Sequence, residues 1–498
     1  MTVVPPTGGD SRTPGAIRDA VATFAASTRG SRIPPSVQRF GQVLFVDTLG
    51  ALVGGLRYPQ VHRLGALLRE AEIEGTASPF SRLMTLGTAA TWLDADSGGS
   101  FHPQGHRLPP VPTAHPAPHV LPVLLHAAAE SGIDDSTLLD AFIIATEVGM
   151  RSGVASSLRP GLHPHGVHGP GAAALAAALL RGVPADRLGD AYLLGSCLPL
   201  AATLAVPVHG GTVRNAWTGL GAFYGAVAAD RVGSGARSDD RAYRRLFDGA
   251  VCTDLDDDLA IGGLGHRWTI LDSYLKPYAC ARWIHPTLDA ARLALAEALG
   301  GAGSEGFHGV PVTPSDVERV EVATFAFAAS LASTEISSDM QARFSLPYAL
   351  AASIADGVLD AGTFLPESLA RPAVADLARR IDLTEDVEMT GALPRERPAT
   401  VTVRLSRARS GTGRVRTARG NPDDPLTVEE VIEKFRGNVG DFLPAHCVDD
   451  LLSALLPDVN NGAGGPGAVG DPSDDGRPAH HAAARFARQL LDTGGPGG

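Results

Sequence analysis

The apolar residues of this chain change their period once and then change it back, and that switch limits the folds open to it. Over residues 15–234 the pattern is mostly helical. In the stretch 36–50, for example, Phe40, Val43, Leu44 and Phe45 cluster at helical spacing just after Pro34-Pro35. Ala-rich stretches such as 172–180 point to helices packed closely through small side chains. Past about Trp268, runs at 317–327 and 400–407 alternate apolar and polar residues with a period of two, the pattern of half-buried strands. Helix-like runs at 286–298 and 341–357 lie between them, and 427–436 and 441–456 return to helix. The expected fold class is therefore mainly α. A large all-helical domain begins with residues 15–266, a smaller α+β lid domain occupies 267–419, and 420–457 return to the helical domain. Residues 458–498 read as a low-complexity tail, Gly-, Pro- and Asp-rich over 460–477 and expected to be disordered there, with a short Ala-rich helix after it.

A chain of 498 residues that is 44% hydrophobic can bury the core this architecture needs. Its net charge of −12 argues against a general phosphate-backbone binder, so nucleic acid is not an expected partner. Cys197, Cys252, Cys280 and Cys447 are scattered without a CxxC pair, which signals neither a disulfide framework nor a zinc or cluster site and fits a reduced cytoplasm. The segment MTVVPPTGGDSR lacks the basic region and apolar core of a secretory signal. Residues 191–208 are uncharged and approach the length of a membrane span. They are rich in small residues and contain Pro199 and Pro207, so they read as a buried helix, and no membrane partner is expected.

Four segments hold most of the chemically interesting groups: Leu93-Asp94-Ala95-Asp96, the stretch from His115 to His119, the run from His163 through His165 to His168, and the stretch from Lys276 to His285. Removing water or carbon dioxide from a polycarboxylate needs a base for a weakly acidic C–H, donors or cations for carboxylates, and an acid for a leaving hydroxyl. Histidine can fill each role near neutral pH. Each group also has a plainer reading. Two acids at i and i+2 suit a solvated loop or helix cap, Lys276 and Arg282 suit the surface, and Glu147 with Arg151 is first an i, i+4 helix pair. His163, His165 and His168 could ligate a metal, but their spacing matches no zinc or iron pattern. Gly210-Gly211-Thr212-Val213-Arg214 enters a helix without either of the common phosphate-binding glycine signatures, and a helix start with an Arg suits a carboxylate better.

Taken in order, the segments resemble the MmgE/PrpD family, which includes 2-methylcitrate dehydratase, cis-aconitate decarboxylase and an iminodisuccinate epimerase. The likeness runs over roughly residues 15–455. It is carried by Phe45-Val46-Asp47-Thr48-Leu49-Gly50, Leu93-Asp94-Ala95-Asp96, Ala114-His115-Pro116, Ala145-Thr146-Glu147-Val148 with Arg151, and Gly161-Leu162-His163-Pro164. It continues through Gly211-Thr212, Leu275-Lys276-Pro277-Tyr278 with His285 and Asp289-Ala290, Phe344-Ser345 with Tyr348-Ala349, and Gly420-Asn421-Pro422 before Lys434-Phe435.

The resemblance implies a helical domain formed by both ends of the chain, an α+β lid, an active site between them, a homodimer and catalysis without the iron–sulfur cluster of aconitase, and with no convincing ligand spacing or phosphate loop the expectation is no cofactor and no metal. It places the family's active-site acid on Asp94, with Asp96 beside it, and its histidines on His115, His163 and His285. A position that is usually Lys is here Arg214, which keeps the charge but cannot donate a proton at working pH. Ser97 stands where the family has a third acid, and residues 98–114, with His102 and His106, form an insertion.

The resulting expectation is a dehydratase acting on a small-molecule polycarboxylate related to 2-methylcitrate. His163 or His285 would take the proton, with Asp94 orienting an imidazole, His115 assisting and Tyr348 as a candidate acid. Arg214, Lys276 and Asp96 would form the substrate-binding set. A decarboxylase or epimerase on the same framework is the nearest alternative, and a noncatalytic carboxylate-binding paralogue is the alternative from another class.

Overall fold

A computed structural model describes residues 15–70, 79–99, 114–199, 203, 205–301, 309–456 and 481–492. It is a mainly α protein with one four-stranded sheet. The helical part is built from long apolar helices, among them Pro35–Leu56, Pro79–Ala90, Ala117–Ser131, Asp135–Val154, Gly169–Leu180 and Val213–Gly233. Local signals set their ends. Pro35 opens the first, Asp134 caps the Asp135–Val154 helix through Thr137 N, and Gly132 closes Ala117–Ser131 in the left-handed conformation. Small residues let these helices touch. A Cβ on Gly87 would lie 2.6 Å from Gly219 Cα, so the Pro79–Ala90 and Val213–Gly233 helices meet backbone to backbone.

The later part holds the sheet, in the order Ile381–Glu385, Val317–Thr324, Ala399–Leu405, Arg409–Val415. The first pair is parallel and the others antiparallel. The His285–Ala298 helix lies across the strands Ala399–Leu405 and Arg409–Val415. The chain then returns to the helical part. Thr427 and Glu430 form a capping box at the start of Val428–Val439, which packs on Pro35–Leu56, and Lys434 Nζ donates to the buried Asp47 carboxylate at 2.6 Å. The Ala482–Asp492 helix docks on Ala117–Ser131 with Phe486 and Leu490 buried, and Asp135 accepts from Ala482 N and Ala483 N at its start.

Several element expectations change. Residues 191–208 are not one helix: Leu188–Ser196 ends before Pro199, and Ala205–Val208 is a separate short piece. The run 341–357 divides into Asp339–Arg343 and Leu346–Asp356, because Ser345 is extended and caps the second helix through Tyr348 N. Among the described residues no helix is long and apolar enough to cross a membrane. The expected disorder over 460–477, and His102 and His106 of the insertion, lie outside the described residues.

Candidate active site

Leu93-Asp94-Ala95-Asp96 leaves the end of the Pro79–Ala90 helix and turns sharply, with Asp94 at φ 52°, a left-handed conformation that Asp tolerates better than most residues. The turn drives both carboxylates inward instead of into solvent, and Asp94 and Asp96 are only 3% and 0% exposed. Two cations meet them there. Arg214, on the first turn of the Val213–Gly233 helix, bonds Asp94 Oδ1 and Asp96 Oδ1 through Nη2 and Thr91 O through Nη1. Lys276 Nζ donates to Asp94 O at 2.8 Å and Asp94 Oδ1 at 3.0 Å, and lies 3.9 Å from Asp96 Oδ1. Burial works to raise the Asp96 carboxyl, but Lys276, His165 and hydrogen bonds from His115 and His165 hold it well below the usual carboxylate range. Burial works against the Lys276 ammonium, and Asp94 with Asp96 outweighs it and raises its pKa.

Three histidines gather around Asp96. The His115 and His165 rings stack at 4.1 Å between centroids, His163 stacks on His165 at 5.0 Å, and Asp96 Oδ2 lies 3.1 Å from both His115 Nδ1 and His165 Nε2. Their proton positions follow from their neighbours. A carbonyl can only accept, so at 2.8 Å from Ser97 O the His115 Nδ1 must carry hydrogen, which leaves the Nε2 lone pair of the neutral ring as the reactive end. A backbone N–H can only donate, so His163 Nδ1, which accepts from His165 N at 3.1 Å, has no hydrogen, and the neutral His163 ring is a donor through Nε2. Burial, with Arg214 next, pulls the His163 pKa well below its ordinary value and keeps the ring neutral.

A cavity of about 320 Å³ opens onto these groups. Asp94, His115, His163, Arg214, Tyr274 and Lys276 line it, together with the apolar Leu158, Leu162, Val208, Phe327 and Phe344. A short strand pair builds one wall. Gly98 pairs with Tyr274, and a Cβ at Gly98 would fall 2.5 Å from His115 Cε1 and 2.8 Å from Tyr274 Oη, so the seat of His115 requires glycine.

The structure brings Asp94, Asp96, His115, His163, Arg214 and Lys276 together and sets two expected residues apart. His285 is fully buried and absent from the cavity lining. Its Nε2 must donate to Cys280 O at 3.0 Å, and its Nδ1 then accepts from Arg282 Nη1 at 3.0 Å, so neither nitrogen is free to take a proton. Tyr348 also lies off the cavity lining, with its hydroxyl donating to Ser368 O at 3.3 Å and its ring beside Phe364. Roles shift as well. The carboxylate beside the imidazoles is Asp96, because Asp94 is held by Arg214 and Lys276. Arg214 lines the cavity, but its charge already balances buried acids. Lys276 and Arg282 are buried and not surface charges, and Glu147 with Arg151 is a buried pair.

Among the described residues, the group that could ligate a metal is Asp96, His115 and His165 rather than the sequence cluster, because His168 turns away to Ser152 Oγ at 2.9 Å. Arg214 Nη2 lies 3.2 Å from His165 Nε2 and Lys276 lies near Asp96, and these cations already balance the carboxylate charge a metal would use. Sequence reasoning passed over Tyr274, Trp283 and Arg397, which line the same cavity. No motif marks them: Tyr274 enters beside Lys276, Trp283 just before the His285–Ala298 helix and Arg397 just before the strand Ala399–Leu405.

A helical body and an α+β part surround a cavity lined by Asp94, His115, His163, Arg214 and Lys276, an arrangement suited to acid–base chemistry by side chains. Residues 19–249 match the MmgE/PrpD N-terminal domain and residues 278–454 the MmgE/PrpD C-terminal domain, and the chain belongs to the MmgE/PrpD family. It is similar to a cis-aconitate decarboxylase of Aspergillus terreus, 23% identical over 486 residues that cover 91% of this chain and 96% of that protein. A second similar protein is a cis-aconitate decarboxylase of Aspergillus terreus strain NIH 2624, 23% identical over 478 residues, 90% and 94% of the two chains.

Proposed function

We propose that the chain is a lyase that removes water from a hydroxylated di- or tricarboxylate, with the acid–base work done by its own side chains. The observation that carries this reading is the pair of histidines on one cavity with opposite proton positions, His115 accepting through Nε2 and His163 donating through Nε2. Asp96 and Ser97 O hold the His115 ring and stabilise the imidazolium that forms when it takes a proton. His115 removes the proton next to a carboxylate. Lys276, with Arg214 behind the acids, offsets the charge that spreads onto that carboxylate. The C–O bond then breaks, the alkene forms, and the departing hydroxyl collects the proton from the His115 imidazolium while His163 Nε2–H holds its oxygen. Neutral His163 thus acts as a hydrogen-bonding electrophile, and its lowered pKa suits that role.

Decarboxylation is the second reading, favoured by the name of the two relatives. It needs cleavage of a C–C bond to carbon dioxide and protonation of the carbanion, for which His115 as imidazolium suffices. Incubation with hydroxylated citrate-like acids and with unsaturated cis-aconitate-like acids, followed by mass spectrometry, separates the readings. Loss of water from a hydroxy acid is the expected result. Loss of carbon dioxide instead replaces dehydration with decarboxylation, and saturable binding without turnover replaces both with a carboxylate-binding protein.

A further inference from the structure

We propose that Arg397, backed by Arg282, forms a second carboxylate subsite on the sheet side of the cavity, holding a substrate carboxylate remote from the carbon that loses its proton. This rests on the polycarboxylate reading above and adds to it a fixed place for one more acid group. Besides the exposed Arg159, which donates to Gly249 O at 3.2 Å, the cavity has four cations in its lining, Arg214, Lys276, Arg282 and Arg397. The first two are matched by Asp94 and Asp96. The other two have no carboxylate partner among the described residues.

Their surroundings show what each can offer. Arg282 donates to Arg419 O at 2.8 Å, Ala418 O at 3.3 Å, Asn421 Oδ1 at 2.8 Å and His285 Nδ1 at 3.0 Å, so these donors are satisfied by neutral acceptors and its charge is offset only at a distance, by Asp289. It stands over the Tyr274 ring at 5.1 Å, and that ring meets His115 edge-on. Arg397 is held differently. Its backbone N donates to Arg416 O at 3.0 Å, and its guanidinium stacks on Trp283 at 4.3 Å, an arrangement that orients the fork and leaves its N–H groups for a ligand. Burial, with Arg282 adding to it, pulls the Arg397 pKa down to about 10, the mark of a cation short of a counter-charge. A planar fork beside a second guanidinium, with no acid between them, suits a carboxylate. The line from His115 through Tyr274 and Arg282 to Trp283 and Arg397 sets that carboxylate away from the reacting end. His285, whose Nδ1 accepts from Arg282 Nη1, is a positioning residue for this subsite.

Isothermal titration with propane-1,2,3-tricarboxylate and its terminal monoamide tests the assignment, since neither probe has a hydroxyl or double bond to lose. The wild-type chain is expected to prefer the tricarboxylate. Arg397→Gln should weaken tricarboxylate binding roughly tenfold to hundredfold and erase the preference over the monoamide, and Arg397→Lys should fall between. A merely structural stacking role on Trp283 would lower the melting temperature without touching the preference. Should Arg397→Gln fail to fold, Arg397→Lys carries the same comparison. Wild-type affinity and preference in the variants overturn the subsite and leave the polycarboxylate reading standing. Failure of the wild-type chain to bind either probe overturns that reading itself.

Discussion

The proton positions of His115 and His163 are set by backbone groups: the carbonyl of Ser97 fixes a hydrogen on Nδ1 of one ring, and the amide of His165 excludes it from Nδ1 of the other. Arg214 is fixed by side chains instead. It sits 1% exposed between two nearly buried acids, so removing it leaves charge without a partner. Arg214→Ala is therefore expected to destabilise the fold by about 3–5 kcal/mol, and Arg214→Lys to recover much of that, read by denaturant unfolding. An alanine variant as stable as the wild type would contradict the buried network. The acids, histidines and cations of this network were legible by position, through the family resemblance and the chemistry of the residue types. Their division of labour was not. Whether Asp94 or Asp96 faces an imidazole depends on a left-handed turn at Asp94, and His285 is withdrawn from the cavity by two bonds that no spacing rule reveals.

Elements were legible where burial follows period. The helices Pro35–Leu56, His285–Ala298 and Val428–Val439 and the strands Val317–Thr324 and Ala399–Leu405 sit where their apolar residues recur at 3.6 or 2. The strand Arg409–Val415 was missed for a physical reason. Its inward positions are Gly411 and Gly413, whose added Cβ atoms would run into Ala294 O and Ala290 O of the overlying helix, so close packing has replaced the apolar alternation that marks a strand. Ile381–Glu385 carries too little alternation to stand out from its surroundings, and it owes its place to parallel pairing with Val317–Thr324. The two breaks, after Ser196 and at Phe344-Ser345, show the opposite failure. Apolar runs continue through them, while Pro199 and the extended Ser345 end the helices.

The whole molecule should be acid-sensitive because it buries neutral imidazoles. Burial, with His115 next, pulls His119 and His168 down to about 3, and His163, His165 and His285 shift the same way. In the unfolded chain each titrates near 6.5, so below that pH the unfolded state binds more protons and folding loses about 1.4 kcal/mol per pH unit for each such ring, down to about pH 3 for His119 and His168. Asp272, raised to about 6 by burial, binds its proton more readily in the folded state and opposes this from about pH 6 downward, and Asp47, Asp140, Asp240 and Asp289 are raised in the same direction, but the five imidazoles outweigh Asp272 at pH 6. Unfolding at pH 6 should thus take up protons, measured by calorimetry in buffers of different ionisation enthalpy, and net proton release would refute this account of the buried rings. In the proposed reaction His115, on the cavity between the helical part and the sheet, takes the proton. The direct measurement is the rate of deuterium incorporation from D₂O into the hydroxy acid re-formed as the elimination reverses, read by NMR at the carbon next to the carboxylate, in the wild type and in His115→Gln. The account predicts a rate lower by about 10²–10⁴ in the variant with binding nearly unchanged. Exchange in His115→Gln at the wild-type rate would contradict it.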